Sequence, residues 1–301
     1  MNVEVEALGG SDLLGEGPFW DVAGQRLLWS DVKSQTIHEY APATGRRGVV
    51  TSTVMAFSLV LNRDGALLIT GPTGLHYYRP GQEPVSLLRE HQGESLFLND
   101  LIADSRGRVY AGSVYYGANG LEKPGKLYLI DGQGSARVMD DGIQMSNGLG
   151  FSPDDRTLYY TDTLARVIYA YAVDPATGAL SNKRVLARIP AEEGMPDGMT
   201  VDAEGFIWSA QWYGSQVIRY DPEGKVERRL KLPVRQVASV MFGGRDLDEL
   251  YITTASDRFI SQYAPPGYNH DDTKNVGGSL YRVRPGVRGR PEHLGNLRPA
   301  P

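Results

Sequence analysis

The chain has 301 residues and a formal net charge of −5, and this length allows a large hydrophobic core. The acidic balance, with no long Lys/Arg run, argues against a nucleic-acid or membrane-surface partner. The absence of cysteine excludes disulfides, thiolate metal sites and a cysteine nucleophile. The short basic run RVRPGVRGR near the C-terminus is broken by Pro and Gly and predicts a solvated loop.

The N-terminal sequence MNVEVEALGG holds two glutamates and no apolar segment, so it does not have the pattern of a signal peptide. No window approaches the ~20 apolar residues that a membrane-spanning helix needs. The sequence therefore predicts a cytoplasmic protein that does not associate with membranes.

A turn followed by a strand, and then by a partner strand rich in aromatic residues, recurs along the chain. Six copies are visible, and they read DVAGQRLLWSD, NRDGALLIT, DSRGRVYAG, SPDDRTLYYTD, DAEGFIWSA and GRDLDELYIT. Their strand centres are Trp29, Ile69, Tyr110, Tyr159, Trp208 and Tyr251, spaced by 40, 41, 49, 49 and 43 residues. This period is long enough for four short strands per copy.

Six such copies predict an all-β fold, a six-bladed β-propeller that forms a single domain over residues 1–301. The even spacing argues against a β-sandwich or a large barrel. The opening segment NVEVEAL is too short for a blade of its own, so we predict that it pairs into the last blade and closes the ring. The stretch from Ser261 to Gly278 is the longest candidate loop, covering one face or the outer rim of blade six.

Polar residues stand at matching places in four of the six copies. They are Glu16 in LLGEGPFWD, Asn99 and Asp100 in LFLNDLIAD, Asn147 in SNGLGFSPD, and Asp197 in PDGMTVDAEG. Glu16, Asn99, Asn147 and Asp197 precede their strand centres by 13, 11, 12 and 11 residues. This shared register predicts side chains at one level around the central channel. Because Asn-Gly and Asp-Gly are also common turn dipeptides, ordinary turns remain the alternative interpretation.

Carboxylate and amide oxygens without sulfur make a hard site that suits Ca²⁺, Mg²⁺ or Mn²⁺ and also accepts Zn²⁺. Three protein ligands, Glu16, Asn147 and Asp197, would leave coordination positions open, as is typical of catalytic metal sites. The histidines show neither H-x-x-x-H nor H-x-H spacing, which argues against a histidine-built zinc site. There is no G-x-S-x-G motif, so no serine nucleophile is indicated.

The segments LLGEGPFWD, FLNDLIADSRGRVYAGS, SNGLGFSPDDRTLYYTDT and PDGMTVDAEGFIWSAQW resemble the signatures of the senescence marker protein (regucalcin), gluconolactonase and luciferin-regenerating enzyme family. The resemblance implies a propeller with one divalent cation near its axis, bound by Glu16, Asn147 and Asp197. It implies Ca²⁺ or Zn²⁺ first, with Mg²⁺ and Mn²⁺ as alternatives. The implied reaction is hydrolysis of a sugar lactone to an aldonic acid, with a small-molecule lactone as the binding partner.

The resemblance also implies roles for individual residues. Asp197 is implied to be the catalytic base for the attacking water, and Asn99 to be a catalytic residue beside the metal that touches the substrate or a metal-bound water. Asp100 and Glu122 are implied to lie among the substrate-binding residues. Family members often carry an arginine at the position of Phe97, and a phenyl ring cannot replace its hydrogen bonds. Phe97 therefore predicts a less polar or aromatic lactone.

Two alternatives stay open at this point. A related metal-dependent propeller would hydrolyse a phosphotriester or phosphofluoridate rather than a lactone. A non-catalytic propeller would bind calcium or dock a protein partner on one face. The sequence does not address the oligomeric state.

Overall fold

The computed structural model describes residues 4–117, 120–132, 134–259, 261–265 and 277–299. Six four-stranded antiparallel sheets are arranged as the blades of a propeller. The described residues contain one 3-10 turn, Ala191–Glu193, and no α-helix. The prediction of an all-β, six-bladed propeller is confirmed. Among these residues, no helix has the length and apolar character needed to cross a bilayer.

The strands are numbered in chain order, starting with β1 (Glu6–Ala7). Blade one holds β2 (Gly15–Asp21), β3 (Arg26–Asp31), β4 (Thr36–Ala41) and β5 (Arg46–Thr51). Blade two holds β6 (Leu59–Leu61), β7 (Leu67–Gly71), β8 (Gly74–Tyr78) and β9 (Val85–Leu88), followed by a hairpin of β10 (Glu90–His91) and β11 (Glu94–Ser95). Blade three holds β12 (Leu98–Ala103), β13 (Val109–Ser113), β16 (Gly125–Ile130) and β17 (Ala136–Ile143), with a hairpin of β14 (Tyr116–Gly117) and β15 (Gly120–Leu121) inserted between β13 and β16.

The second half of the ring has the same organisation. Blade four holds β18 (Ser146–Phe151), β19 (Thr157–Asp162), β20 (Val167–Val173) and β21 (Leu180–Arg188). Blade five holds β22 (Met195–Val201), β23 (Ile207–Trp212), β24 (Gln216–Tyr220) and β25 (Val226–Lys231). Blade six holds β26 (Val237–Gly243), β27 (Glu249–Thr254), β28 (Tyr281–Val283) and β1.

The first strand of each blade is the innermost one, because these six strands contact one another in a closed ring around the axis. All six strand centres expected from the repeat lie in the second strand of their blade, as predicted. Apolar side chains fill the spaces between neighbouring blades. For example, Phe19 and Leu28 of blade one pack with Leu59 and Leu68 of blade two. Burial of each such side chain contributes roughly 1.5–3 kcal/mol.

The N-terminal strand closes the ring, as the sequence predicted. β1 pairs antiparallel with β28, with Glu6 opposite Arg282. The Arg282 guanidinium bridges Glu6 on β1, at 2.6 Å, and Glu249 on β27, at 3.2 Å. Blade six is thus built from both ends of the propeller sequence, with β1 as its outermost strand and β26 as its innermost one.

The C-terminal segment differs from the solvated loop that its composition predicted. Arg290 is paired with Asp155 and donates to the Phe151 carbonyl. Farther along, the backbone of Asn296 donates to the Gly107 carbonyl. The segment therefore crosses blades three and four, because its backbone and arginines find partners there. Of the expected loop from Ser261 to Gly278, residues 266–276 lie outside the described residues.

Candidate active site at one mouth of the channel

A cavity of about 390 Å³ opens at one mouth of the central channel. Glu16, Asn99, Asn147 and Asp197 all line it, each supplied by the innermost strand of a different blade. Asn147 and Asp197 are buried, whereas Glu16 and Asn99 are half-buried. The structure thus brings together on one floor the four side chains that share a register in the sequence.

An irregularity in strand pairing accompanies each of these four residues. The pairing of the inner strand with its neighbour shifts between Glu16 and Phe19, Leu98 and Leu101, Ser146 and Leu149, and Pro196 and Met199. A bulge bends a strand and redirects the side chain at that point. The repeated bulge therefore explains how a polar residue in a buried strand comes to face the channel mouth.

Glycines allow the innermost strands to approach closely at this level. A Cβ on Gly148 would lie 2.5 Å from the Met199 nitrogen and 2.6 Å from the Asp197 carbonyl oxygen. Any larger residue at Gly148 would push blades four and five apart. The glycine after Asn147 thus keeps the Asn147 and Asp197 side chains on a common floor.

Burial and neighbouring carboxylates raise the pKa of both carboxyl groups of the floor. Burial raises the pKa of Glu16 well above its usual range, and the charges of Asp197 and Asp100 add to the effect. The pKa of Asp197 is likewise raised by burial and by Asp100. Asp197 Oδ1 is buried with no hydrogen-bond partner among the described residues. Like charges crowded in this way, with a free acceptor oxygen, fit a bound cation.

The two asparagine amides are oriented by hydrogen bonds. Asn147 donates from Nδ2 to Thr163 Oγ1 at 3.1 Å, and this hydroxyl donates to the Pro196 carbonyl at 2.8 Å. Asn99 donates from Nδ2 to the Ser146 carbonyl at 2.8 Å. Because these donors point into the protein, each amide leaves its oxygen for the cavity. The floor therefore presents four oxygen-bearing groups and no sulfur or imidazole.

The other expected substrate-binding residues do not line this cavity. Asp100 lies on a separate cavity of about 40 Å³ along the channel. Burial raises the pKa of Asp100 to about 6, although a hydrogen bond from Ser58 lowers it in part. Glu122 is exposed on the β14–β15 side of blade three. Phe97 packs behind the cavity wall, against two aromatic residues that line it, Phe57 and Tyr116.

The sequence analysis did not identify the residues around the cavity mouth. The rim is largely aromatic and apolar, with Phe57, Tyr116, Trp212 and Phe259 among its members. The ammonium of Lys33 lies 5.0 Å from the centre of the Phe259 ring. These aromatic residues share no position from blade to blade: Phe57 and Phe259 lie in connections, Tyr116 lies in the β14–β15 hairpin, and Trp212 ends β23. No repeated sequence signal could have grouped them.

A second cluster of ligand-type residues lies elsewhere in blade one. Asp12, Asp31 and His38 each place one ligand atom within 4.8 Å of the others. Protein donors already engage both carboxylates, however. Trp29 Nε1 donates to Asp12 at 2.7 Å, and the Leu13 amide donates to Asp31 at 3.0 Å. We therefore interpret this cluster as a structural contact that holds the N-terminal segment against blade one.

Comparisons with known proteins agree with the fold. Residues 14–256 match the family model described as the SMP-30/Gluconolactonase/LRE-like region. Pentonolactonase XacC of Haloferax volcanii is 37% identical over 288 residues, covering 95% of this chain and 95% of that protein.

Two solved structures extend the likeness. A luciferin-regenerating enzyme is 27% identical with a TM-score of 0.86, covering 98% of this chain and 100% of that one. Regucalcin of Agrobacterium tumefaciens, described as a calcium-binding protein, is 26% identical with a TM-score of 0.83, covering 97% of each chain. The chain therefore belongs to the SMP-30, gluconolactonase and luciferin-regenerating enzyme family.

Proposed function

We propose that this protein, as one propeller domain, is a divalent-cation-dependent lactonase that opens a lactone to its hydroxy acid. The observation that carries the proposal is the floor on which Glu16, Asn99, Asn147 and Asp197 converge from four blades. The similarity of the chain to a pentonolactonase over 95% of its length supports lactones as the substrate class.

We further propose that Glu16, Asn147 and Asp197 hold the cation. The fit rests on the unpartnered Asp197 oxygen, on the raised pKa of both carboxyls, and on the inward-facing amide oxygen of Asn147. An all-oxygen donor set suits Ca²⁺, with Zn²⁺ as the second candidate and Mg²⁺ or Mn²⁺ as further alternatives. When bound, the cation would act as a Lewis acid on the lactone carbonyl.

Two side chains of the floor would act on the attacking water and on the lactone. Asp197 would accept a proton as water attacks the carbonyl carbon, and would return it to the ring oxygen when the C–O bond breaks. Asn99, fixed by its bond to the Ser146 carbonyl, would orient the water or the substrate beside Asp197. The apolar rim would exclude bulk water from the floor.

The test is acid release on a panel of lactones by chelator-treated protein, with Ca²⁺, Zn²⁺, Mg²⁺ or Mn²⁺ restored singly. The panel contains sugar 1,4- and 1,5-lactones, alkyl and aromatic lactones, and a phosphotriester. Cation-restored lactone opening supports the proposal. Turnover of the phosphotriester alone, or tight cation binding with no turnover, would move the assignment to the phosphotriesterase or the non-catalytic alternative.

A matched pair of variants assigns the site. Glu16→Gln keeps an oxygen but removes a charge from the floor, so we expect cation affinity to fall about 10–100-fold. Glu122→Gln makes the same change on an exposed residue away from the cavity and should leave cation affinity unchanged. Equal effects of the two variants on cation binding, measured by isothermal titration calorimetry, would contradict the assignment.

A further inference from the structure

Three aromatic rings contact one another edge-on along one side of the cavity. The Phe97 ring lies edge-on to Phe57, with centroids 5.1 Å apart, and edge-on to Tyr116, with centroids 5.8 Å apart. Phe57 and Tyr116 line the cavity and Phe97 does not. Phe97 is therefore placed to hold Tyr116 rather than to touch a ligand.

Tyr116 lines the cavity and carries a hydroxyl group that the fold does not use. It stands on β14, in the hairpin inserted into blade three, and is 40% exposed. Among the described residues, its hydroxyl has no hydrogen-bond partner. The phenol hydroxyl is therefore free to donate to, or accept from, a ligand in the cavity.

We propose, on the basis of the lactonase function above, that Tyr116 binds a hydroxyl substituent of the lactone and that Phe97 is the positioning residue for its ring. A phenol both donates to and accepts from a hydroxyl group. The substrate class is then a hydroxylated lactone, such as a sugar lactone. The phenyl ring at position 97 changes the recognising group from a guanidinium to a phenol and does not make the site apolar.

The first test compares Tyr116→Phe with the wild type on two lactones. One is a pentono-1,4-lactone, and the other is γ-butyrolactone, which has the same ring without hydroxyl groups. The variant removes only the hydroxyl, so we expect kcat/KM for the pentonolactone to fall about 10-fold, chiefly through KM. Activity on γ-butyrolactone should stay unchanged. Tyr169→Phe, a half-buried tyrosine in blade four, serves as the matched control and should alter neither substrate.

A double-mutant cycle tests the role of Phe97. Phe97→Leu keeps an apolar side chain but removes the edge contact with Tyr116, so we expect a loss of about 3-fold on the pentonolactone alone. If Phe97 acts through Tyr116, the double variant should be no worse than Tyr116→Phe. Additive losses would overturn the positioning role of Phe97. Equal losses on both lactones, or no loss, would overturn the binding role of Tyr116.

Binding of uncleaved analogues separates this inference from the proposed function. The lactam analogue of the pentonolactone and unsubstituted 2-pyrrolidinone are titrated by calorimetry into wild type and Tyr116→Phe. If the wild type opens no lactone, the lactonase proposal fails, yet a selective 10-fold weakening of the hydroxylated lactam would still support Tyr116. Equal weakening of both lactams, or no lactam binding by the wild type, would overturn the inference.

Discussion

Thr163 controls the orientation of one proposed cation ligand. Its hydroxyl donates to the Pro196 carbonyl, so toward Asn147 it can only accept, and the amide nitrogen of Asn147 must face it. Thr163→Val preserves the side-chain shape but removes this acceptor. The Asn147 amide is then free to turn, and its oxygen no longer faces the cavity in a fixed position. We expect cation affinity to fall while the fold is retained.

The size of the effect follows from general values for such supporting contacts. Losing the partner that orients a metal ligand weakens metal binding about 10–100-fold. At a cation concentration 100 times its Kd, the wild type gains about 2.7 kcal/mol in the free energy of unfolding. A variant with a Kd about 30-fold weaker gains roughly 0.9 kcal/mol at the same concentration.

These free energies convert to melting temperatures. An unfolding entropy of about 2.1 cal/mol/K per residue gives roughly 0.6 kcal/mol/K for 301 residues. The cation should therefore raise the Tm of the wild type by about 4 °C and that of Thr163→Val by about 1.5 °C. The assay is thermal unfolding of chelator-treated protein across a cation titration, with Kd measured independently by calorimetry.

The strand just before Thr163, β19, offers the control. Thr161 is fully buried on β19, and its hydroxyl has no hydrogen-bond partner among the described residues. Thr161→Val therefore makes the same chemical change without touching Asn147, and its cation response should equal that of the wild type. A wild-type Kd in Thr163→Val, or an equal loss in Thr161→Val, would refute the orienting role.

Two further predictions concern charge in the folded chain. Asp197→Asn should raise the Tm of the chelator-treated protein by about 3 °C, because removing one of the crowded buried carboxylates adds about 2 kcal/mol to the free energy of unfolding. The same variant should no longer show a rise in Tm when cation is added. A lower Tm, with the cation-induced rise intact, would contradict this prediction. Burial raises the pKa of Asp12 from 3.8 to about 6, so the folded state holds that proton more tightly, and the contribution of Asp12 to stability falls as pH rises from 4 to 6. Urea unfolding should therefore show the stability of Asp12→Asn, relative to the wild type, rising by about 2 kcal/mol between pH 4 and 7; a pH-independent difference would count against this cause.

The blades and the floor could be predicted because their signals repeat. Turn residues followed by alternating strands recur six times, and the polar residues keep nearly the same distance from each strand centre. Once one innermost strand is located in the sequence, the repeat gives the positions of the other innermost strands. The distances differ slightly, from 11 to 13 residues, and the same kind of pairing shift occurs at each site.

The supporting contacts could not be predicted because they join residues far apart in the sequence. The hydrogen bond from Thr163 to the Pro196 carbonyl joins blades four and five across 33 residues. Among the described residues, only blade three carries a hairpin between its second and third strands, and Tyr116 stands in that hairpin. The C-terminal arginines looked solvated because their partners, such as Asp155, lie far away in the sequence.

In this propeller, the residues proposed to carry out the chemistry and those proposed to select the substrate lie on different kinds of segment. The floor residues sit on innermost strands that the neighbouring blades hold on both sides, so their positions are fixed by the whole ring. Most of the rim residues lie on connections and on a hairpin, which differ from blade to blade. A change such as Phe97 in place of arginine can therefore alter which ring substituent is bound while Glu16, Asn147 and Asp197 keep their places. Floor variants should then act on cation affinity, whereas rim variants should act on KM and leave cation affinity unchanged.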